Sequence, residues 1–345
     1  MMKLVLRIFL FSFLLPVSLL AQDPQFSQFY QAPLYINPAF AGSLQSFRAG
    51  VNYRNQWPGL DANYTTFSFF ADYYIADANS SIGLIAKHDS QGSSNDAATY
   101  RSSDIGLIYS YDIMLDRNTV LKPALQLSYY QRQLGTDGLL FPDQFNNNGP
   151  TGAPTQENIA STNANFVDIS AGILFLTDNF WGGISAHHIN RPSESFVDGE
   201  NRLQTKLSLH AAYRYSFEYF PLDLIPAFSY QRQGDAQQAY VGLYGVYQPI
   251  MLGIWYKGFP INRYQNITPN NDAIVMMAGF RLEKYNLEFA YSFDATISNL
   301  SNYSSNAHEL SLVFNLPNKY GTGSRYAPDI WGTQRANGSL YHIRR

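Results

Sequence analysis

The chain has 345 residues and no cysteine, with 23 Lys and Arg against 26 Asp and Glu for a formal net charge of −3. Charged residues make up only 14% while aromatics reach 16%, against about 25% charged in an ordinary soluble domain. This balance excludes a disulfide-stapled or cysteine-ligated metal domain, a basic nucleic-acid binder and an aromatic-poor disordered chain.

Residues 1–21 read as a secretory signal peptide. Lys3 and Arg7 precede an apolar stretch from Ile8 to Leu20, and Ala21 leads into the polar Gln22, Asp23 and Pro24. Leu19 is larger than the small residue usual two positions before a cut, so the class is clear and the cleavage position open. Losing Lys3 and Arg7 takes the charge from −3 to −5. No cysteine follows to carry a lipid. Residues 22–46 are punctuated by proline, rich in aromatics and free of alternation; they predict an N-terminal arm that is a lumenal plug, a periplasmic extension or a rim-packed segment.

From residue 47 to 316 the chain alternates with period two, the mark of strands with one apolar and one polar face. Ile105, Leu107, Tyr109 and Tyr111 alternate with Asp104, Gly106 and Ser110, and Leu207, Leu209, Ala211 and Tyr213 with Lys206, Ser208 and His210. About fourteen such segments begin near Phe47, Tyr64, Ser81, Tyr100, Val120, Asn165, Phe180, Gln204, Leu222, Gln238, Ile250, Asp272, Lys284 and Asn306. Their length suits tilted strands crossing a bilayer; no run beyond the signal is long enough for a spanning helix. The links alternate too. Those at 57–63, 89–103, 134–164, 191–203, 260–271 and 298–305 are long or moderate, and those between them are tight; only 233–237 is short where a long one is due. This predicts an all-β fold: a transmembrane outer-membrane β-barrel of about fourteen antiparallel strands, with short periplasmic turns and longer outer loops. Asp104, Asp112, Lys122, Arg132, Asp168, Lys206, His210, Arg214, Glu288 and Glu309 then face inward. Tyr53, Trp57, Tyr64, Tyr73, Tyr129, Tyr219, Tyr240 and Trp255 are assigned to aromatic girdles. Residues 317–345 form a periplasmic tail in which Lys319, Arg325, Arg335, Arg344 and Arg345 against Asp329 leave a charge of +4, suited to an acidic partner or anionic lipid.

Catalytic and metal readings are weak. His88 and Ser90 share a strand face within His88-Asp89-Ser90-Gln91-Gly92, a run similar to the His-x-Ser-Asn-Gly element of outer-membrane phospholipase A. His187 and His188 are adjacent, so as strand residues they point to opposite faces. No catalytic residue, metal ligand or cofactor is assigned.

Asp23-Pro24-Gln25-Phe26-Ser27-Gln28-Phe29-Tyr30, followed by Pro33-Leu34-Tyr35-Ile36-Asn37-Pro38-Ala39-Phe40-Ala41-Gly42, resembles the opening of the PorP/SprF family of the type IX secretion and gliding system of Bacteroidetes. Tyr53-Arg54-Asn55-Gln56-Trp57, Asp89 to Gly92, Tyr291-Ser292-Phe293-Asp294 and His308-Glu309-Leu310-Ser311-Leu312 are similar to later elements of the family, with Leu310 where isoleucine is commoner. The resemblance implies a non-enzymatic outer-membrane adaptor. Its partners would be outer-membrane lipid and either the C-terminal domain of a secreted adhesin, which it would anchor, or periplasmic ring proteins of the secretion system. Phe26, Phe29, Tyr30, Tyr35, Asn37, Pro38, Arg54 and Trp57 are the partner-binding candidates. A porin or transporter for small or apolar solutes is the alternative, and a phospholipase a third reading.

Overall fold

The computed structural model describes residues 23, 25–28 and 30–316, apart from 61–62, 93–99, 117, 136–141, 147–148, 155–161, 197–201, 265–267 and 299–305. The expected signal peptide, the tail, Phe29 and much of the 134–164 loop lie outside these residues.

Fourteen antiparallel strands close into a barrel. They are β1 (Phe47–Gln56), β2 (Tyr64–Ile75), β3 (Ser80–Gln91), β4 (Tyr100–Tyr111, continued by Ile113–Asp116), β5 (Thr119–Leu134), β6 (Asn163–Thr177) and β7 (Phe180–His187). Then follow β8 (Lys206–Tyr213, continued by Tyr215–Ser216), β9 (Asp223–Gln233), β10 (Ala236–Tyr247), β11 (Ile250–Tyr264), β12 (Thr268–Leu282), β13 (Leu287–Thr296) and β14 (Ala307–Leu316). Each pairs with its sequence neighbour, and β14 returns to β1 in the register Arg54↔Glu309 and Val51↔Leu312. Closure leaves no unpaired edge, the condition for a sheet in hydrocarbon.

The pleat sorts the residues as the alternation predicted. Leu107, Leu125 and Leu127 are more than half exposed on the outer wall, while Asp104, Asp112, Lys122, Arg132, Asp168, Lys206, His210, Arg214, Glu288 and Glu309 are all buried. Two tight turns share one design: a single 3-10 turn, Ala76–Ala78 or Glu283–Tyr285, ends on an asparagine with φ of 45° or 52°, Asn79 and Asn286. Asparagine accepts this left-handed conformation better than other side chains.

Two expectations need correction. Tyr240 and Trp255 are 1% and 2% exposed and line the lumen instead of a girdle, because the inward phase of β10 and β11 falls on them. His187 and His188 do not diverge: β7 ends at His187, and His188 takes φ of +59°, which turns its ring inward beside its neighbour's, 6.5 Å away. His88, on the same outward face as Ser90, meets Ser103 Oγ at 2.8 Å across the β3–β4 ladder.

The arm is a plug. Residues 30–44 are buried apart from the half-buried Tyr35, and with barrel residues such as Phe70, Ile108, Leu174, Trp181, Tyr244 and Trp255 they make one hydrophobic core inside the barrel.

Candidate functional site

The arm runs inside the lumen from the loop end of the barrel to the turn end, and each level holds it differently. At the turn end, Gly42 N donates to Asp72 at 2.7 Å, Arg48 pairs with Asp72 at 2.9 Å and reaches Phe40 O, and Ser110 Oγ donates to Ala41 O. These contacts fix the arm where it enters β1.

The middle is apolar and aromatic. Tyr30 lies edge-on to Phe40, Trp181 and Tyr244 at centroid distances of 5.9–6.4 Å, and Phe40 stacks on His210 at 5.0 Å. Proline at the first helical position favours the short helix α1 (Pro33–Ile36) and the 3-10 turn Pro38–Phe40. Asn37 caps that turn, its Oδ1 accepting from Ala39 N at 2.9 Å. Its Nδ2 donates to Ile173 O and Ile184 O at 3.1 Å each, and lies 3.2 Å from His210 Nε2. The approach needs glycine on both strands of the wall: a Cβ on Gly172 would stand 2.0 Å from Asn37 Oδ1, and one on Gly183 2.8 Å from its Nδ2. Tyr35 Oη donates to Ala86 O at 2.7 Å on the facing wall.

Nearer the loop end is a buried ionic lock. Arg54 of β1 bridges Asp294 of β13 at 2.8 Å and Glu309 of β14 at 3.1 Å. Glu309 also accepts from the backbone of Ser27 and Gln28 at 2.8 and 3.0 Å, and Ser27 Oγ donates to Asp294 at 2.6 Å. Gln28 Nε2 reaches Glu309 O, and Ser311 Oγ donates back to Gln28 Oε1. Four blocks far apart in sequence therefore meet at the seam where the barrel closes: Gln25 to Tyr30, Tyr53 to Trp57, Tyr291 to Asp294 and His308 to Leu312.

At the mouth, the Asp23 carboxylate meets His188 Nε2 at 2.7 Å and Lys206 Nζ at 3.7 Å, and Asp23 N donates to Gln233 Oε1 at 3.0 Å. Asp168 holds the other nitrogen of His188 at 2.9 Å. Burial pushes the Asp23 carboxyl up, but the His188 cation and its hydrogen bond, then Lys206 and Lys87, hold it well below the usual carboxylate range. Burial would discharge His188; the Asp23 charge and the hydrogen bonds that the ring donates to Asp168 and Asp23 instead raise it to about 9. Nearby, Lys87 lies 3.5 Å from Asp89 and 3.4 Å from Asp104. Arg132 pairs with Glu194 across the same end.

Of the partner-binding candidates, Phe26, Tyr30, Asn37, Pro38 and Arg54 are buried in the lumen, Tyr35 is half-buried within it, and Trp57 is half-buried at the loop end, where its backbone N–H donates to Asn306 O. Sequence reasoning missed Asp23, Asp294 and Trp181 as arm contacts; the signal was there for Asp294, an inward phase next to Glu309 and Arg54 in a closed barrel. Among the described residues no group of three or more His, Asp or Glu side chains is placed to hold a metal ion.

The chain is similar in fold to solved outer-membrane barrels. It matches a FadL homologue of Pseudomonas aeruginosa at 13% identity and a TM-score of 0.44, over 81% of this chain and 92% of that one. The Pseudomonas putida toluene transporter TodX matches at 11% and 0.47, over 85% and 94%, and the Acinetobacter baumannii outer-membrane protein Omp33 at 7% and 0.44, over 80% and 100%. No protein of curated function matches the sequence. The model of the type IX secretion system membrane protein family PorP/SprF matches residues 18–314, which takes in the arm, the lock and thirteen whole strands of the barrel. The chain is an outer-membrane β-barrel and belongs to the PorP/SprF family of type IX secretion.

Proposed function

We propose that this barrel is a binding adaptor of type IX secretion and not a conduit: it holds a secreted surface protein, or a periplasmic component of the secretion system, at the outer membrane. The observation that carries the reading is the arm lodged in the lumen. A solute path needs open cross-section, and here the arm occupies the interior at the mouth, in the middle and at the turn end. The long links gather at one end of the barrel, as a gripping surface for a large passenger requires. The candidates from Phe26 to Arg54 serve it indirectly, by fixing the arm and with it the mouth. The reading assigns no catalytic role: His88 bonds Ser103, and Asp89 is buried towards the lumen.

The test is a pull-down of tagged protein from its native outer membrane in mild detergent, with mass spectrometry of what accompanies it. The adaptor reading expects a large secreted protein or secretion-ring components in near-stoichiometric amount. Repeated recovery of the barrel alone would overturn it.

A further inference from the structure

The mouth of the lumen contains a built carboxylate site whose present occupant is the arm itself. His188 stands at the end of β7, Lys206 opens β8 and Gln233 ends β9, so three successive strands bring a cation, a second cation and an amide to one rim. Asp168 of β6 holds His188 from behind at 2.9 Å, which orients the ring and keeps its other nitrogen aimed at the carboxylate. The occupant is Asp23, with its carboxylate on His188 and Lys206 and its N–H on Gln233. Lys87, with Asp89 and Asp104, is the neighbouring charge group at this end.

The arm is held in one way from Ser27 inward and in another outward of Ser27. From Ser27 inward it is locked by Glu309, Asp294 and Arg54 and then by the aromatic core. Outward of Ser27 its described contacts are the cradle, a hydrogen bond from Tyr240 Oη to Gln25 Oε1 and the Phe26 ring at 5.5 Å from that of Tyr35. The cradle contacts and the lock contacts therefore involve separate residues of the arm, Asp23 on one side and Ser27 and Gln28 on the other.

We infer that the Asp168–His188–Lys206–Gln233 cradle is a receptor site for a peptide carboxylate, which Asp23 fills in the resting barrel and which an extended segment of a partner fills when the tip withdraws. The inference rests on the adaptor reading for its biological meaning, but its chemistry stands on the cradle alone. The ligand class is an extended peptide whose carboxylate comes from an acidic side chain or from a free C-terminus.

The probe for the first source is a fluorescent, amidated peptide with the sequence Gln-Asp-Pro-Gln-Phe-Ser-Gln; its control carries Asn for Asp. A second probe, acetyl-Ser-Gln-Phe with a free C-terminal carboxylate, and its amide report on the other source. Binding to the full chain in detergent is read by anisotropy. A tethered competitor acts at an effective concentration on the order of millimolar, so wild type should bind weakly, and Asp23→Asn at least tenfold more tightly. Whichever carboxylate probe binds should lose at least tenfold as its Asn or amide counterpart, and Asp23→Asn/His188→Gln should bind neither. Equal binding by wild type and Asp23→Asn, or no preference for carboxylate in either probe pair, would overturn the inference.

A readout that leaves Asp23 in place guards against a folding defect. Excess peptide should raise maleimide labelling of Gln25→Cys severalfold by displacing the tip; unchanged labelling counts against the site. The adaptor reading is judged separately, by whether wild type captures a partner from the native membrane.

Discussion

Arg54→Ala should be among the most damaging single changes available in this barrel. The guanidinium is 2% exposed and lies between two carboxylates that are 4% and 0% exposed. Removing one partner of a buried ion pair costs about 3–5 kcal/mol, because the charge left behind has neither water nor a counterion. Here two carboxylates are left facing each other, and Ser27 Oγ loses a donor at 2.8 Å. Relief is partial: Asp294 keeps Lys257 at 3.9 Å, and Glu309 keeps the amides of Ser27 and Gln28. We expect a loss of about 3–5 kcal/mol, read as the shift in urea midpoint of the refolded barrel in detergent. Arg54→Lys should fall between, since a point charge cannot span both carboxylates as the planar fork does. An apolar triple, Arg54→Met with Asp294→Leu and Glu309→Leu, should recover part of the loss, because no charge is then left buried. A loss below about 0.5 kcal/mol for Arg54→Ala, within the range of ordinary surface changes, would refute the lock.

Gly183→Val should destabilise by about 1–3 kcal/mol as overpacking, since even a Cβ there would come within 2.5 Å of Ile173 O; limited proteolysis should show the arm loosened around Asn37. His188 is raised above its ordinary 6.5 to about 9, so its contribution is complete below about pH 6.5 and disappears as pH rises through about 9, an effect of about 3 kcal/mol in this buried position. The difference in urea midpoint between wild type and His188→Gln should shrink accordingly from pH 6 to pH 9.5, and a constant difference would contradict the cradle's geometry. On the outer wall, Leu107 is 67% exposed, and Leu107→Arg should cost about 2–4 kcal/mol in bilayers if that face meets hydrocarbon near the midplane; refolding yield into lipid vesicles measures it.

The barrel was legible because its determinants are local. Alternation over Asp104 to Tyr111 or Lys206 to Tyr213 assigns a face to each residue without knowledge of its neighbours, and the unequal links set the topology. Tyr240 and Trp255 escaped because girdle and lumen both favour large aromatics; phase, not residue type, separates them, and glycines at 242, 245 and 253 blur that phase. His188 escaped because one positive φ reverses the direction of a side chain at a strand end. The lock was visible only as fragments. Glu309 read as an inward charge and Arg54 as a binding candidate, but their meeting with Asp294 depends on β14 returning to β1, and Ser27 and Gln28 join them only through the path of an arm that has no periodicity. A plug was among the readings the arm's composition left open, and only packing separates it from an extension into the periplasm.

The central claim is that the chain's own arm closes the lumen, so that the barrel binds instead of conducting. The most direct measurement is solute flux through purified protein in lipid vesicles, wild type beside a variant lacking residues 22–46. The account predicts no swelling in small sugars for wild type and rapid swelling for the folded deletion variant. Flux through wild type comparable to that of the deletion variant would contradict it.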